Sequence, residues 1–416
     1  MREAKVVIGA NYGDEGKGLM TDYFAAQAAG ESCLVVRFNG GCQASHTVTL
    51  ADGRRHAFSH LGSGTFAGAA TYLSRHFAVN PPLFLKEREK LNPLLRHAVL
   101  IYVDERAPVT TFYDMLVNQM VEDFRGTKRH GSCGMGFGET IGRQEETPYN
   151  LVARDLLDKD ALREKLLAIR KEHLPARCAA LGLPDFGQYH ELCTTDVLVD
   201  AFITASESFL KHVSLVPDAQ AVIQAADNVV FEGAQGLLLD QTYGAFPHVT
   251  RSNTGLKNVL DVAREGGVQK LDVTYVTRAY LTRHGAGPLA NELPGKPYEA
   301  VVDLTNQPNA YQGTLRFAFL DHELLGSTIR NDLKAADGSS IEVTANLAVT
   351  CLDQVRPLTH FYTGEYYSYG TPQFQVNELS NKVLPVFYCS FGPTRQDVRI
   401  TPAMENVEGG CHASTI

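Results

Sequence analysis

The chain has 416 residues, 44% hydrophobic and 20% charged, with a formal net charge of −9. A single small domain and a disordered chain are excluded, and a broad nucleic-acid surface is argued against. No apolar run approaches the roughly 20 residues that span a bilayer. The N-terminus carries no signal-peptide pattern. Eight cysteines without a CxxC pair suit neither a disulfide scaffold nor a zinc site, so free thiols in a reducing cytoplasm are expected.

In chain order, residues 4–9 (AKVVIG) form an apolar, β-branched run that predicts a buried strand. A glycine-rich turn follows, then a helical pattern over 19–28. Residues 34–38 (LVVRF) predict the next strand, and 99–103 another. The clearest helix is expected over 155–173 (DLLDKDALREKLLAIRKEH). Further strands are expected at 229–231, 271–276, 347–351 and 386–389. Strands alternating with helices predict an α/β fold on a central, mostly parallel β-sheet. No composition break divides the chain, so one large domain with insertions is expected over 1–416.

The first loop, GANYGDEGKG at 9–18, runs from a strand into a helix. Glycines let backbone approach an anion, the helix start offers free N–H groups, and Lys17 adds a point charge. It is no Walker A loop, because Asn11 and Gly18 stand where Gly and Ser or Thr are needed, and it is no GxGxxG. An acid among phosphate-binding amides, Asp14, needs a reason: holding a metal, or acting as a base. A second loop, RFNGGCQASHT at 37–47, puts His46 and Thr47 at the next strand end. Open α/β sheets bind ligands at that edge, and an acid and an imidazole meeting there would supply base and acid. GSCGMGFG at 131–138, followed by Arg143, is a third glycine-rich loop. FEGAQGLLLD at 231–240 and FPHVTRSNT at 246–254 add Gln235 and Thr250 as neutral hydrogen-bonding groups.

In order, these segments resemble the adenylosuccinate synthetase family. GDEGKG stands at 13–18, a NAGHT-like QASHT at 43–47, FEGAQGLLLD at 231–240, FPHVTRSNT at 246–254 and TRHGAGP at 282–288. TCLD at 350–353 lies near the family's TKLD, and FGP at 391–393 near its TGP turn. The resemblance implies a P-loop-related fold and a ligase. A nucleoside triphosphate with one or two Mg2+ ions phosphorylates O6 of a 6-oxopurine nucleotide, and the amino group of aspartate then displaces phosphate at C6. It implies Asp14, His46 and Gln235 as catalytic residues, with Asp14 and the Ser45 carbonyl on the metal. Gly13, Glu15, Gly16, Lys17, Gly18 and Thr47 would hold the triphosphate, whose base Asp353, Ser390, Gly392 and Pro393 would read. Gln43, Ser132, Cys133, Thr250 and Gln235 would surround the purine monophosphate, with Arg143 reaching in from the partner of a homodimer. Thr314, Arg316 and Arg283 would bind the amino acid.

The departures are specific. Leu19 replaces a Lys, and the twin-threonine GTTGRG loop becomes GSCGMG at 131–136. Cys351 replaces the TKLD lysine, which makes ATP as admissible as GTP. The arginine-rich aspartate loop becomes AYQGTLR at 310–316, with Arg316 alone remaining of its run. Leu19 and the 390–398 ending resemble the phage branch of the family, which acts on deoxyguanylate with ATP to make 2-aminoadenylosuccinate; a phage gene acting in a host cytoplasm fits that branch. Three alternatives stay open: that variant, a relative with another amine donor, and a nucleotide-binding pseudoenzyme.

Overall fold

The structure, a computed structural model, describes residues 2–401 apart from 29, 184, 304–312, 356 and 365. Its strands in chain order are β1 (Glu3–Gly9), β2 (Cys33–Arg37), β3 (His46–Thr49), β4 (Arg55–Phe58), β5 (Ala70–Leu73), β6 (Ile101–Asp104), β7 (Ser214–Val216), β8 (Asn228–Gly236) and β9 (Lys270–Arg278). They continue with β10 (Tyr280–Arg283), β11 (Glu292–Leu293), β12 (Arg316–Asp321), β13 (Glu342–Thr350), β14 (Thr359–Thr363), β15 (Tyr366–Gly370), β16 (Val386–Ser390) and β17 (Val398–Ile400). Ten of them form one sheet in the order β17-β16-β13-β9-β1-β8-β2-β5-β6-β7. Its pairings are parallel except β16 with β17. The class is α/β, as the alternation predicts. A five-stranded sheet of β10, β11, β12, β14 and β15, and the β3–β4 hairpin, are additions.

All seven strands predicted from apolar runs lie in the large sheet. Their side chains alternate between its two faces, the period-2 geometry of a strand. Val6, Ile8, Leu34, Val36 and Phe231 join one core with the helix Leu256–Glu265, whereas Val7, Val35 and Val230 pack with Met20 and Phe24 of the helix Lys17–Gln27. Helices on both faces explain why these strands read as continuous apolar runs. The short β5 and β7 escape such a reading, and β7 is only partly buried.

The helix expected over 155–173 differs at both ends. Residue 155 lies in a 3-10 turn, Ala153–Leu157. Asp158 then caps a new helix, Lys159–Ala168, accepting from the amides of Asp160 and Ala161. Beyond it a π-helical turn, Ile169–His173, leads straight into Leu174–Ala180, where Pro175, two residues past the turn, offers no N–H to the helix. The first helix begins at Lys17, two residues earlier than expected.

Candidate active site

Parallel pairing sends β1, β2, β8, β9, β13 and β16 out at one edge, so the loops after them meet there. The turn after β1 is compact because its own side chains bind its backbone. Glu15 Oε1 accepts from Asn11 N at 3.1 Å and Gly13 N at 2.7 Å, and Lys17 Nζ donates to Gly13 O at 2.6 Å and lies 3.3 Å from Glu15 Oε2. Gly13 and Gly16 have φ of 114° and 99°, which L side chains rarely adopt. Lys17 is buried, held by a carbonyl and a carboxylate.

The loop after β8 packs against this turn. A Cβ on Gly13 would lie 3.1 Å from Gln235 Cα, and one on Gly236 only 2.3 Å from Asn11 O. Gln235 has φ 67°, a strained conformation for a residue with a side chain. The strain is consistent with a fixed functional position.

His46 opens β3. Its Nδ1 lies 2.7 Å from Oε1 of Glu232, the acid of FEGAQG, on β8. Glu232 also accepts from Ser63 N at 3.0 Å and from the Ser63 hydroxyl, and Arg37 Nε stands 3.9 Å away. Burial disfavours the Glu232 carboxylate, but His46, Arg37 and Ser63 together hold its pKa down to about 2. Burial pushes His46 down to about 4 against the pull of Glu232. The resting imidazole is neutral; with Nδ1–H given to Glu232, Nε2 is the nitrogen left for a ligand. Glu232, Arg37 and Ser63 are neighbours of His46 that the sequence reading did not single out, although Glu232 and Arg37 lie inside quoted motifs.

A cavity of about 550 Å³ gathers Gly13, Asp14, Gln43, Ser45, His46, Ser132, Cys133, Gln235, Thr250 and Arg283. The glycine-rich 131–136 loop is fixed by one face of the helix Phe112–Arg125: Asn118 donates to Ser132 Oγ at 2.8 Å and accepts from Gly136 N, Gln119 donates to Gly134 O, and Glu122 accepts from Gly131 N. Both amide atoms of Gln43 and the Thr47 hydroxyl are buried without partners, as expected of groups kept for a ligand. Burial raises the Cys133 thiol above its ordinary range, so it is a weak neutral donor.

The other predicted residues fall in three places. Glu15, Gly16 and Gly18 stand in or beside the β1 turn, where Thr350 Oγ1, at the end of β13, donates to Glu15 O at 2.7 Å. Asp353 follows β13 in a 3-10 turn, and Ser390 ends β16, its hydroxyl donating to Gly392 O at 2.7 Å beside Pro393. These lie on the flank of the sheet edge away from the cavity, past β9. Cys351 has φ 61° at the start of that segment.

Arg143 is engaged within its own chain. It is 1% exposed, paired with both Asp114 oxygens at 2.9 and 2.8 Å and bonded to the carbonyls of Val109 and Tyr149. Four of its five N–H donors are engaged inside its own chain. Arg316 is likewise engaged, by Glu292 and the carbonyls of Gly285 and Gly287. Arg283 lies over the Tyr12 ring at 4.5 Å and donates to Pro288 O and His248 O, its Nε buried and unpartnered. Thr314 is exposed, and residues 310–312 lie outside the described residues.

Asp14 carries two contacts that the sequence did not announce. Its carbonyl accepts from Arg278 Nε, and His284 Nε2 lies 3.4 Å from its carboxylate. Asp14 and Ser45 line one cavity, and among the described residues no three His, Cys, Asp or Glu side chains form a metal cage. A carboxylate and a carbonyl, completed by phosphate oxygens, are the hard oxygen set that Mg2+ takes. Among the described residues no helix is long and apolar enough to cross a membrane.

The family model for adenylosuccinate synthetase matches residues 6–367. The adenylosuccinate synthetase of Clostridium beijerinckii is 30% identical over 364 residues, 85% of this chain and 79% of that one. That of Halothermothrix orenii is 30% identical over 371 residues, 88% and 81%. That of a Cyanothece strain is 32% identical over 305 residues; the match takes in 72% of this chain and only 64% of the relative's length. Among solved structures, the fully ligated adenylosuccinate synthetase of Plasmodium falciparum has the same fold, with TM-score 0.74 at 17% identity over 96% of this chain and 100% of that one. A cyanophage S-2L succinoaminodeoxyadenylate synthetase bound to dGMP and dATP gives TM-score 0.60 at 19% identity, over 97% and 96%. The chain belongs to the adenylosuccinate synthetase family, a family of C–N ligases.

Proposed function

We propose that the chain is a Mg2+-dependent C–N ligase that phosphorylates O6 of a 6-oxopurine nucleotide with GTP or ATP and couples aspartate at C6, as in the conversion of inosinate to adenylosuccinate. One observation carries this reading. Asp14, His46 on its Glu232 partner, and the strained Gln235 meet in one cavity beside the Lys17 turn. An oxo group leaves poorly, and phosphorylation makes it a good leaving group. Asp14 takes the N1 proton, which raises the nucleophilicity of O6. Lys17 and His46 meet the spread negative charge of the moving phosphoryl group. His46, its Nδ1–H held by Glu232, takes its Nε2 proton from water as that anionic group arrives. Asp14 and the Ser45 carbonyl would hold Mg2+, which would supply neutralisation of charge on the phosphate oxygens.

Gly13, Glu15, Gly16, Lys17, Gly18 and Thr47 take the triphosphate, with Asp353, Ser390, Gly392 and Pro393 at its base. Gln43, Ser132, Cys133 and Thr250 take the monophosphate side, and Thr314, Arg316 and Arg283 the amino acid. A cytoplasmic homodimer accords with the family.

A second reading takes deoxyguanylate and ATP. Leu19, the 390–398 ending and the likeness to the phage enzyme solved with dGMP and dATP favour it. A different amine donor is favoured by the internal engagement of Arg316 and Arg283. The test is a substrate matrix: ATP or GTP, with inosinate, guanylate or deoxyguanylate, with and without aspartate, read by mass spectrometry. A succinyl adduct on any purine supports the ligase, and the purine labelled says which variant. Phosphate release that needs neither purine nor amine would point to a simple NTPase, and nucleotide binding with no turnover to a pseudoenzyme.

A further inference from the structure

Arg278 ends β9, and the mechanism above gives it no part. The ends of β9 and β13 hold the turn after β1 through three side chains. Asn11 Nδ2 donates to Thr277 Oγ1 at 2.9 Å, Thr350 Oγ1 donates to Glu15 O at 2.7 Å, and Arg278 Nε donates to Asp14 O. Of these only Arg278 brings a charge, and its fork spreads in three directions. Nη2 donates to Asp303 Oδ2 at 3.1 Å, and Nη1 to the Tyr280 hydroxyl at 3.3 Å, which donates in turn to Gln354 Oε1 at 2.6 Å. The side chains of Arg278 and Asp303 are 12% and 13% exposed, so water and salt screen the pair little.

A planar guanidinium held at three nitrogens cannot swing as a single ammonium does. Its Nε–H is therefore fixed, and with it the Asp14 carbonyl. The Asp14 carboxylate branches from the Cα next to that carbonyl carbon, so an anchored carbonyl limits how far the carboxylate drifts. We propose that Arg278 is a positioning residue, which holds the Asp14 main chain so that the carboxylate meets the purine N1 proton. The inference rests on the reading of Asp14 as the N1 base. Misplacing a reacting group by about 1 Å costs about 10²-fold in rate, whereas binding by other residues is kept. The role therefore lowers kcat and spares KM. A merely structural role does the opposite: it lowers stability and leaves kcat of the folded protein unchanged.

The test is steady-state kinetics of the full chain with Mg2+, triphosphate, and the purine nucleotide and amine that the wild type accepts in the substrate matrix above. Aminated purine is read by mass spectrometry. The proteins are the wild type, Arg278→Met, Arg278→Lys, Asp14→Asn and the Asp14→Asn/Arg278→Met double variant. Arg278→Met should lower kcat about 30- to 100-fold, with KM for the purine nucleotide within about threefold. Arg278→Lys, with one nitrogen for three partners, should recover part of the loss. In the Asp14→Asn background Arg278→Met should cost less than about threefold more, because the group it positions is gone. A kcat that Arg278→Met leaves unchanged, or a full further loss in the Asp14→Asn background, overturns the inference alone. A wild type that forms no aminated purine overturns the ligase reading with it. If Arg278→Met does not fold, as judged by thermal denaturation, Arg278→Met/Asp303→Asn removes the carboxylate left without its guanidinium and is held to the same outcomes.

Discussion

At the residue scale the proposed chemistry rests on Asp14, a carboxylate in the turn after β1. Asp14→Asn is nearly isosteric and keeps the carbonyl that Arg278 binds, so it should preserve the fold. Turnover should fall by about 10²–10⁴-fold, the usual contribution of a positioned base, with thermal stability little changed. Substantial residual activity would remove Asp14 from that role. His46 makes a pH prediction. Burial lowers it from 6.5 to about 4 in the folded chain. The unfolded chain thus takes up its proton first on acidification. The stability tied to neutral His46 is full above pH 6.5 and is lost as pH falls toward 4. Glu232, lowered from 4.5 to about 2, extends that loss below pH 4.5. His46→Asn should flatten the dependence of Tm on pH between 6.5 and 4. An unchanged slope would mean that other groups set it.

At the element scale, the β-branched runs at β1, β2 and β9 show buried strands because helices cover both sheet faces and leave no polar alternation to confuse the pattern. The glycine-rich loops were legible because few physical reasons call for glycine, Lys and an acid within six residues. What the sequence did not reveal was pairing across distance. Arg143 follows a glycine-rich loop and reads as a phosphate ligand. Only the fold shows that the helix Phe112–Arg125 places Asp114 under it. Arg143→Met leaves Asp114 buried and uncompensated, so it should cost about 3–5 kcal/mol of stability in denaturant titration. The KM for the purine nucleotide in the folded protein should stay within threefold. A large rise in KM with little loss of stability would return Arg143 to the nucleotide.

At the scale of the whole molecule, strand order does what local sequence cannot. β1 lies between β8 and β9, which follow it by more than 220 residues in the chain. Its turn is thereby placed between two flanks of one sheet edge, with the β2 and β8 loops toward the cavity and the ends of β13 and β16 on the other side. A phosphoryl donor on one flank and an acceptor on the other would meet at Asp14, Lys17 and His46. The order of motifs along the chain indicated which loops belong together, but not that they divide into two arms. The central claim is that O6 of the purine becomes the oxygen that leaves as phosphate. The most direct measurement uses a 6-oxopurine nucleotide labelled with 18O at O6, turned over with triphosphate, Mg2+ and aspartate, with the released phosphate examined by mass spectrometry. The account predicts one 18O atom in each phosphate released with product. Unlabelled phosphate released alongside aminated purine would contradict it.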